Sequence, residues 1–323
     1  MGVTAWARFM AEVRNPDDIK QLLQTDAFGK MDRIVLGGGS NIIFSGDYDG
    51  LIIRNHILGI EILSETQTTV TVKINAGEVW DEVVQWAVSR NLGGIENLSL
   101  IPGFAGAAPI QNIGAYGVEI CEVVSSVSAI HLASGENRIF SNAECGFGYR
   151  DSVFKGALKN QYIITDLTLN LSKNPKINTS YGAISEELEK EGITNPGIAD
   201  VSRAVIRIRQ SKLPDPKKIG NSGSFFKNTV IANDYFQELK SKFSSLPSYP
   251  SASGVKIPAG WLIEQAGLKG YRKGDAGIHK NQALVIVNYG NAEAAEIIEL
   301  SNHVRDVVFR KFGILLEPEV NIV

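Results

Sequence analysis

Residues Ile101 to Glu119 read I-P-G-F-A-G-A-A-P-I-Q-N-I-G-A-Y-G-V-E. Gly103, Gly106, Gly114 and Gly117 are separated by small Ala105, Ala107, Ala108 and Ala115, so the backbone can adopt φ > 0 and approach another group closely. Neither a core strand nor a core helix has this composition. Gln111 and Asn112 are short amides able to hydrogen-bond the edge of a flat heterocycle or a phosphate. The plain alternative is a tight connection whose small residues only relieve crowding; the length and order of the stretch favour a ligand-binding loop.

A second glycine-rich turn precedes it. In Arg33-Ile-Val-Leu-Gly-Gly-Gly-Ser-Asn-Ile-Ile-Phe44 an apolar strand runs into three glycines and two small polar residues. Successive amides in such a turn can form a nest for a pyrophosphate. No Gly-Lys-Ser/Thr follows, which excludes a P-loop. Ile42 stands where G-x-G-x-x-G needs its third glycine, and no acidic residue follows near 56 to 58 to hold a ribose. A strand, turn, strand arrangement with Leu51-Ile-Ile-Arg54 is expected.

Bulk composition narrows the function classes. With 323 residues, 44% apolar and 21% charged, the chain is long enough for two or three globular domains. Its 32 basic and 35 acidic side chains give no general attraction for nucleic acid or an anionic membrane, so an anionic ligand must be held by local cations. There is no apolar run of about 18 residues and no signal-peptide pattern at the start, so a cytoplasmic protein is expected. Cys121 and Cys145 form no C-x-x-C pair, and His56, His131, His279 and His303 form no metal motif. No metal site is expected.

Along the chain, residues 7 to 13 look strand-like, and Asn15-Pro-Asp-Asp18 reads as a helix start. Val70, Val72 and Ile74 alternate with Thr69, Thr71 and Lys73, the pattern of a half-buried strand. Glu78 to Asn91 has helical spacing, with Val79, Val83, Trp86 and Ala87 on one face and both tryptophans in the core. Strand-type sequence returns at 123–132, 137–140 and 162–171. A connector from 175 to 200, able to act as a lid, carries an acidic helical run. A helix follows from Ala199 to Lys212, and the chain breaks at Leu213-Pro-Asp-Pro216. Beyond it come a short helix within 258–267, a buried strand ending at Val287, a long helix within 291–312 with Ile297, Leu300, Val304, Val307, Val308 and Phe312 as its stripe, and a final strand pairing back with the first domain.

Several residues stand out chemically. In Gly146-Phe-Gly-Tyr-Arg-Asp-Ser152, Arg150 lies among aromatic and glycine residues that can desolvate its guanidinium for a carboxylate, although an ion pair with Asp151 or Asp166 is the ordinary alternative. Ser224 in Asn221-Ser-Gly-Ser-Phe-Phe-Lys-Asn228 has no G-x-S-x-G context and no triad order, so proton donation suits it better than nucleophilic attack. Arg209 and Lys212 share a helix face and could clamp a diphosphate, or compensate the helix dipole. Glu317 and Glu319 flank Pro318 and, on a strand, would point to one face.

The loop Pro102 to Glu119, F-G-Y-R-D-S, G-S-F-F-K-N and L-E-P-E-V together resemble the bacterial UDP-N-acetylenolpyruvoylglucosamine reductases over nearly the whole chain. The G-G-G-S-N turn followed by P-G-x-x-G-A-x-P-I-Q-N is similar to the FAD-binding fold of the vanillyl-alcohol-oxidase and p-cresol-methylhydroxylase type. The resemblance implies an α+β protein: FAD-binding subdomains at 1–57 and 58–212, the C-terminal strand 317–323 returning to the first, and a substrate-binding domain at 213–316. It implies non-covalent FAD on Gly37, Gly38, Gly39, Ser40, Asn41, Pro102, Gly103, Gly106, Ala107, Gln111, Asn112, Gly114 and Ala115, with NADPH as hydride donor. Arg150, Ser224 and Glu319 become the catalytic residues. They serve NADPH-dependent reduction of UDP-N-acetylglucosamine enolpyruvate to UDP-N-acetylmuramate for peptidoglycan synthesis, with Ser224 as proton donor. Tyr116, Tyr181, Arg209, Lys212, Asn228 and Gln282 are the candidates for holding the nucleotide-sugar, Tyr181 marking the subtype with a substrate-covering tyrosine. A monomer is expected. The family's N-T-F-type leader is not recognisable in Met1 to Arg8. Two other readings are a sugar or alcohol oxidase of the same flavin fold, and a non-catalytic flavin-binding protein. The separate motifs at 150, 224 and 319 argue against both.

Overall fold

The computed structural model describes every residue except Ala252. The chain divides into two compact units: Ala7–Gly39 with Asp49–Arg209, and Met1–Trp6 with Ser40–Tyr48 and Gln210–Val323. The boundary between Arg209 and Gln210 lies inside the helix Ile198–Lys212. This division groups Ser40–Tyr48 with the C-terminal half, whereas the sequence-based division kept it in 1–57.

In the first unit, a small sheet places Tyr48–Asn55 between Ala7–Val13 and Arg33–Leu36. Arg33–Leu36 pairs with Leu51 to Arg54 in parallel. Parallel strands cannot be joined by a tight turn, and residues 40–48 accordingly belong to the other unit. Leu51, Ile52 and Ile53 are all buried, the continuous apolar run of a strand covered on both faces. The helix Pro16–Leu23 starts as its sequence dictates: Asn15 accepts from the Asp18 amide, Asp18 accepts in return, and proline occupies the first turn.

A five-stranded antiparallel sheet forms the larger core, in the order Asn137–Ser141, Val124–His131, Tyr162–Ser172, Thr69–Asn75, Ile60–Glu65. Val70, Val72 and Ile74 point inward with Leu167, Leu169 and Leu171. The helix Trp80–Ser89 packs on them through Trp80, Val83, Val84 and Ala87. Val79 caps this helix and is 37% exposed, and Trp86 is only partly buried under the Arg90 guanidinium. The expected face thus holds for Trp80, Val83, Ala87 and the partly buried Trp86, whereas Val79 lies outside it and Val84 joins it. Downstream, Gly182–Lys190 and Ile198–Lys212 bury Ile184 and Leu188 against Val201, Ala204, Val205 and Ile208, so the connector has an apolar cluster of its own.

The second unit carries the sheet Gly220–Ser224, Val285–Asn288, Ala276–Ile278, Arg272–Lys273 and a smaller one in the order Thr229–Ile231, Gly254–Ile257, Tyr249–Ser251. The helix Ala294–Phe312 lays Ile297, Leu300, Val304, Val308 and Phe312 into its core with Leu262, Ile263, Ile278 and Ile286. Glu293 and Glu296 cap its start, and left-handed Gly313 ends it. Asn321–Ile322 pairs in parallel with Ile42–Ile43.

Candidate active site

The candidate residues fall in both units. Gly37–Gly39, the loop from Pro102 to Tyr116, Arg150, Tyr181 and Arg209 lie in the first; Ser40, Asn41, Lys212, Ser224, Asn228, Gln282 and Glu319 lie in the second.

In the first unit the long loop is pinned to the start of the helix Trp80–Ser89. The Trp80 amide donates to Gly103 O (3.0 Å), the Ala105 amide to Glu78 O (2.8 Å) and the Gly106 amide to Ala76 O (2.9 Å). At Gly106 a Cβ would stand 2.6 Å from the Ala76 Cβ, which explains the glycine. The G-G-G turn comes against this loop: a Cβ on Gly38 would lie 3.3 Å from Gly103 Cα and from the Phe104 ring. Gly39 has φ +66° and nothing within 4 Å of where its Cβ would be. Two glycine-rich backbones side by side, one of them open, fit a dinucleotide cofactor whose diphosphate needs close amide approach.

The loop ends in the hairpin Gly114–Ala115 with Val118–Glu119. Tyr116 and Gly117 have φ of +51° and +80°, the signs that a type I′ turn requires. Tyr116 thus holds a conformation unusual for a bulky residue. Its ring meets Tyr181 edge-on at 5.1 Å, and its hydroxyl bonds the Arg209 side chain. Arg209 Nε also donates to Leu100 O at 3.2 Å. Burial lowers the guanidinium's affinity for its proton and pushes the Tyr116 phenol above its usual range. Lys212, one turn on, is exposed, so the helix end does not present the two cations alike.

Arg150 has φ +55° in a turn closed by reciprocal hydrogen bonds between Gly148 and Asp151. Its guanidinium donates to Gly114 O at 2.5 Å and to Asn112 O at 3.4 Å, and lies 5.7 Å from the Tyr149 ring centre. Asn112, 1% exposed, was expected to face a heterocycle with its amide. Instead its Nδ2 donates to Glu119 Oε2 (2.8 Å) and Gly148 O (3.0 Å), and its Oδ1 accepts from the Cys121 amide (3.1 Å).

In the second unit the serine and glutamate motifs run side by side. The Glu319 amide donates to Phe225 O (2.8 Å), Phe226 bridges Pro318, and the Lys227 amide donates to Glu317 O (2.9 Å). Phe225 and Phe226 are fully buried; Ser224 is half-buried, and among the described residues its hydroxyl has no hydrogen-bond partner. Glu317 is exposed and pairs with Lys227 at 3.0 Å, while Glu319 is half-buried. The two carboxylates flanking the bridge at Pro318 thus differ in exposure and in pairing, although the backbones of both residues bond to the Phe225–Lys227 segment. Asn41 Nδ2 donates to Glu319 O at 3.2 Å. Asn228 Oδ1 accepts from the Ala259 amide (3.0 Å), and Gln282 Oε1 is the atom nearest to where a Cβ on Gly260 would stand (3.4 Å), so both meet the first turn of the helix Ala259–Gln265.

Three residues escaped the sequence reading. Asn97, fully buried, donates to Tyr116 O and Asn178 O, both at 3.0 Å. Glu119 anchors Asn112. His279 stands across Val285 from Ser224, since Ser224 pairs with Val285 and the His279 amide donates to Val285 O. Its Nδ1 is buried and has no hydrogen-bond partner among the described residues. Nothing in the local sequence distinguishes the first two. A histidine opening a polar turn before a buried strand was the one available signal for the third.

Residues 215–323 match the family model described as UDP-N-acetylenolpyruvoylglucosamine reductase, C-terminal domain, and residues 7–141 match that of an FAD binding domain. A UDP-N-acetylenolpyruvoylglucosamine reductase of Flavobacterium johnsoniae is 50% identical over 100% of this chain and 96% of its own length. That of Amoebophilus asiaticus is 46% identical, over 100% and 95%. The crystal structure of the reductase from Thermus caldophilus superposes with a TM-score of 0.68 at 24% identity, covering 97% of this chain and 91% of that one. A 6-hydroxy-D-nicotine oxidase from Arthrobacter nicotinovorans shares the fold at a TM-score of 0.53 and 11% identity, over 98% and 84%.

Proposed function

The chain belongs to the UDP-N-acetylenolpyruvoylglucosamine reductase family, and from that premise we propose that Arg150, Ser224 and Glu319 carry its reaction. The enzyme is an oxidoreductase with an FAD-binding domain, and it reduces UDP-N-acetylglucosamine enolpyruvate in peptidoglycan precursor synthesis. Flavin, when bound, supplies the hydride that reaches the enolpyruvyl methylene, and NADPH restores it.

Hydride addition to the methylene pushes negative charge onto the conjugated carboxylate. Arg150 meets that charge with a guanidinium held in place by the neutral carbonyls of Gly114 and Asn112. A fixed donor of this kind lowers a barrier by about 3 kcal/mol. In its protonated form Glu319 would offer a second hydrogen bond to the same carboxylate. Ser224 Oγ gives its proton to the carbon next to the methylene and regains one from solvent, to which its half-exposed position leaves it open. Tyr116, Tyr181, Arg209, Lys212, Asn228 and Gln282 hold the nucleotide-sugar. Segments 1–57 and 58–212 serve the flavin and 213–316 the substrate, in a monomer working in the cytoplasm.

The observation that carries this reading is the hydrogen bond from the Glu319 amide to Phe225 O, which sets the acid beside the strand that ends at Ser224. Anaerobic reduction of the FAD-loaded protein with NADPH, followed by the enolpyruvyl substrate, tests it. Rapid flavin reoxidation is expected; a reduced flavin that ignores this substrate but reacts with oxygen would promote the oxidase reading.

A further inference from the structure

Asn112 occupies the centre of the network around Arg150. Its backbone carbonyl accepts from Arg150 Nη1, and its side-chain Nδ2 donates to Gly148 O, in the turn that carries Arg150. The other Nδ2 hydrogen reaches Glu119 Oε2 on the far strand of the hairpin, whose near strand supplies Gly114 O to Arg150 Nη2. The Cys121 amide fixes the side-chain Oδ1. Both amide hydrogens therefore serve the two backbone segments that aim the guanidinium, and a residue 1% exposed has none left to offer a ring edge. Its φ of +43° lies in the left-handed region, which few residues other than glycine and asparagine adopt. The crowding at Gly114 completes the picture. A Cβ there would stand 2.9 Å from Glu119 Cγ and 3.0 Å from Arg150 Nη1, so the carboxylate stem and the guanidinium both crowd the space a side chain would need.

We infer that Asn112, anchored by Glu119, is a positioning residue for Arg150 and not a flavin contact through its side chain. The inference rests on the role assigned to Arg150 above. Losing the Asn112 donors lets the Gly148 to Asp151 turn drift from the Gly114 carbonyl. Displacing a charge-stabilising group by about 1 Å costs on the order of 100-fold in rate.

The test compares four variants of the FAD-loaded enzyme by three readouts: FAD affinity from flavin fluorescence, flavin reduction by NADPH, and reoxidation by the enolpyruvyl substrate. Asn112→Asp replaces the donor with an acceptor facing Glu119. It is expected to keep FAD affinity and NADPH reduction within about threefold while reoxidation slows about 100-fold. Adding Glu119→Gln restores one donor and acceptor pair with the roles exchanged, and is expected to recover about tenfold of that loss. Weakened FAD binding in Asn112→Asp, or wild-type reoxidation, overturns the inference. Should Asn112→Asp not fold, Glu119→Ala decides the matter: slower reoxidation with unchanged FAD affinity supports it, and unchanged reoxidation overturns it. Arg150→Ala separates the two levels. Wild-type reoxidation there removes the role of Arg150 itself, whereas a slow Arg150→Ala beside a normal Asn112→Asp removes only the positioning.

Discussion

The amide of Glu319 donates to the carbonyl of Phe225 across 2.8 Å, so the last motif of the chain runs beside the strand that ends at Ser224. Ser224 follows left-handed Gly223, at a bulge where the pairing with Val285–Asn288 shifts register. A bulge turns a side chain out of the ladder. Here the half-buried Ser224 precedes the buried Phe225 and Phe226, and its hydroxyl has no hydrogen-bond partner among the described residues.

Ser224→Ala is therefore expected to slow substrate-driven flavin reoxidation by about 100-fold or more, the range of a lost general acid. Reduction by NADPH should not change, because that half-reaction needs no proton from this position. Ser224→Cys keeps a transferable proton and should recover part of the loss. Stopped-flow absorbance of the flavin separates the two half-reactions, and equal reoxidation by Ser224→Ala and wild type would end the serine's role.

Gly39 discriminates cofactor binding from folding. Its φ of +66° makes any side chain cost about 1 to 2 kcal/mol, yet its Cβ would meet nothing within 4 Å. Gly39→Ala should lower the melting temperature of the flavin-free protein by only a few degrees. The same methyl would stand where the turn's amides approach a diphosphate, so FAD affinity should fall at least about tenfold. Unchanged affinity, measured by fluorescence titration, would remove this turn from the cofactor site.

Tyr116 and Arg209 offer a separation of binding from chemistry. Burial weakens the guanidinium's hold on its proton while the Tyr116 hydroxyl and Leu100 O satisfy two of its donors. Tyr116→Phe leaves a partly buried cation with one partner fewer. If the pair holds the nucleotide-sugar, KM for the enolpyruvyl substrate should rise about tenfold, equivalent to ~1.4 kcal/mol, with kcat nearly constant. A fall in kcat at constant KM would move the pair from binding into the reaction.

Local patterns announced most elements of the fold, since capping, periodicity and glycine placement act within a few residues of one another. Asn15 and Asp18 gave the first helix its start, and the alternation at Val70, Val72 and Ile74 gave the core sheet its inward face. Long-range pairing was not legible in the same way. The parallel match of Arg33–Leu36 with Leu51 to Arg54, and of Ile42–Ile43 with Asn321–Ile322, depends on partners that no local window contains. The site divides likewise. The motifs around Arg150, Ser224 and Glu319 are short and self-contained, whereas Asn97 and Glu119 owe their importance to groups that only folding brings near. Asn112 was visible as a residue, but its partners, and hence its task, were not.

His279 gives the protein a titration on its acid side. Burial, with a smaller contribution from Lys280, lowers its pKa below the ordinary imidazole value of 6.5, and among the described residues its Nδ1 has no partner to stabilise the cation. The unfolded chain consequently binds the proton first as pH falls. Between 6.5 and the lower folded-state pKa, unfolding takes up protons, so stability rises with pH through this window and is lost on acidification. Above about pH 7 both states are neutral at this residue and the contribution is level. His279→Gln removes the titration while keeping a polar side chain. Its melting temperature should decline less than that of the wild type as pH falls from about 7 to 5, carboxylate contributions being common to both. Parallel curves for the two proteins across that range would show that the buried imidazole does not govern the decline. A steeper wild-type curve would place the protonation at the residue that shares Val285 with Ser224.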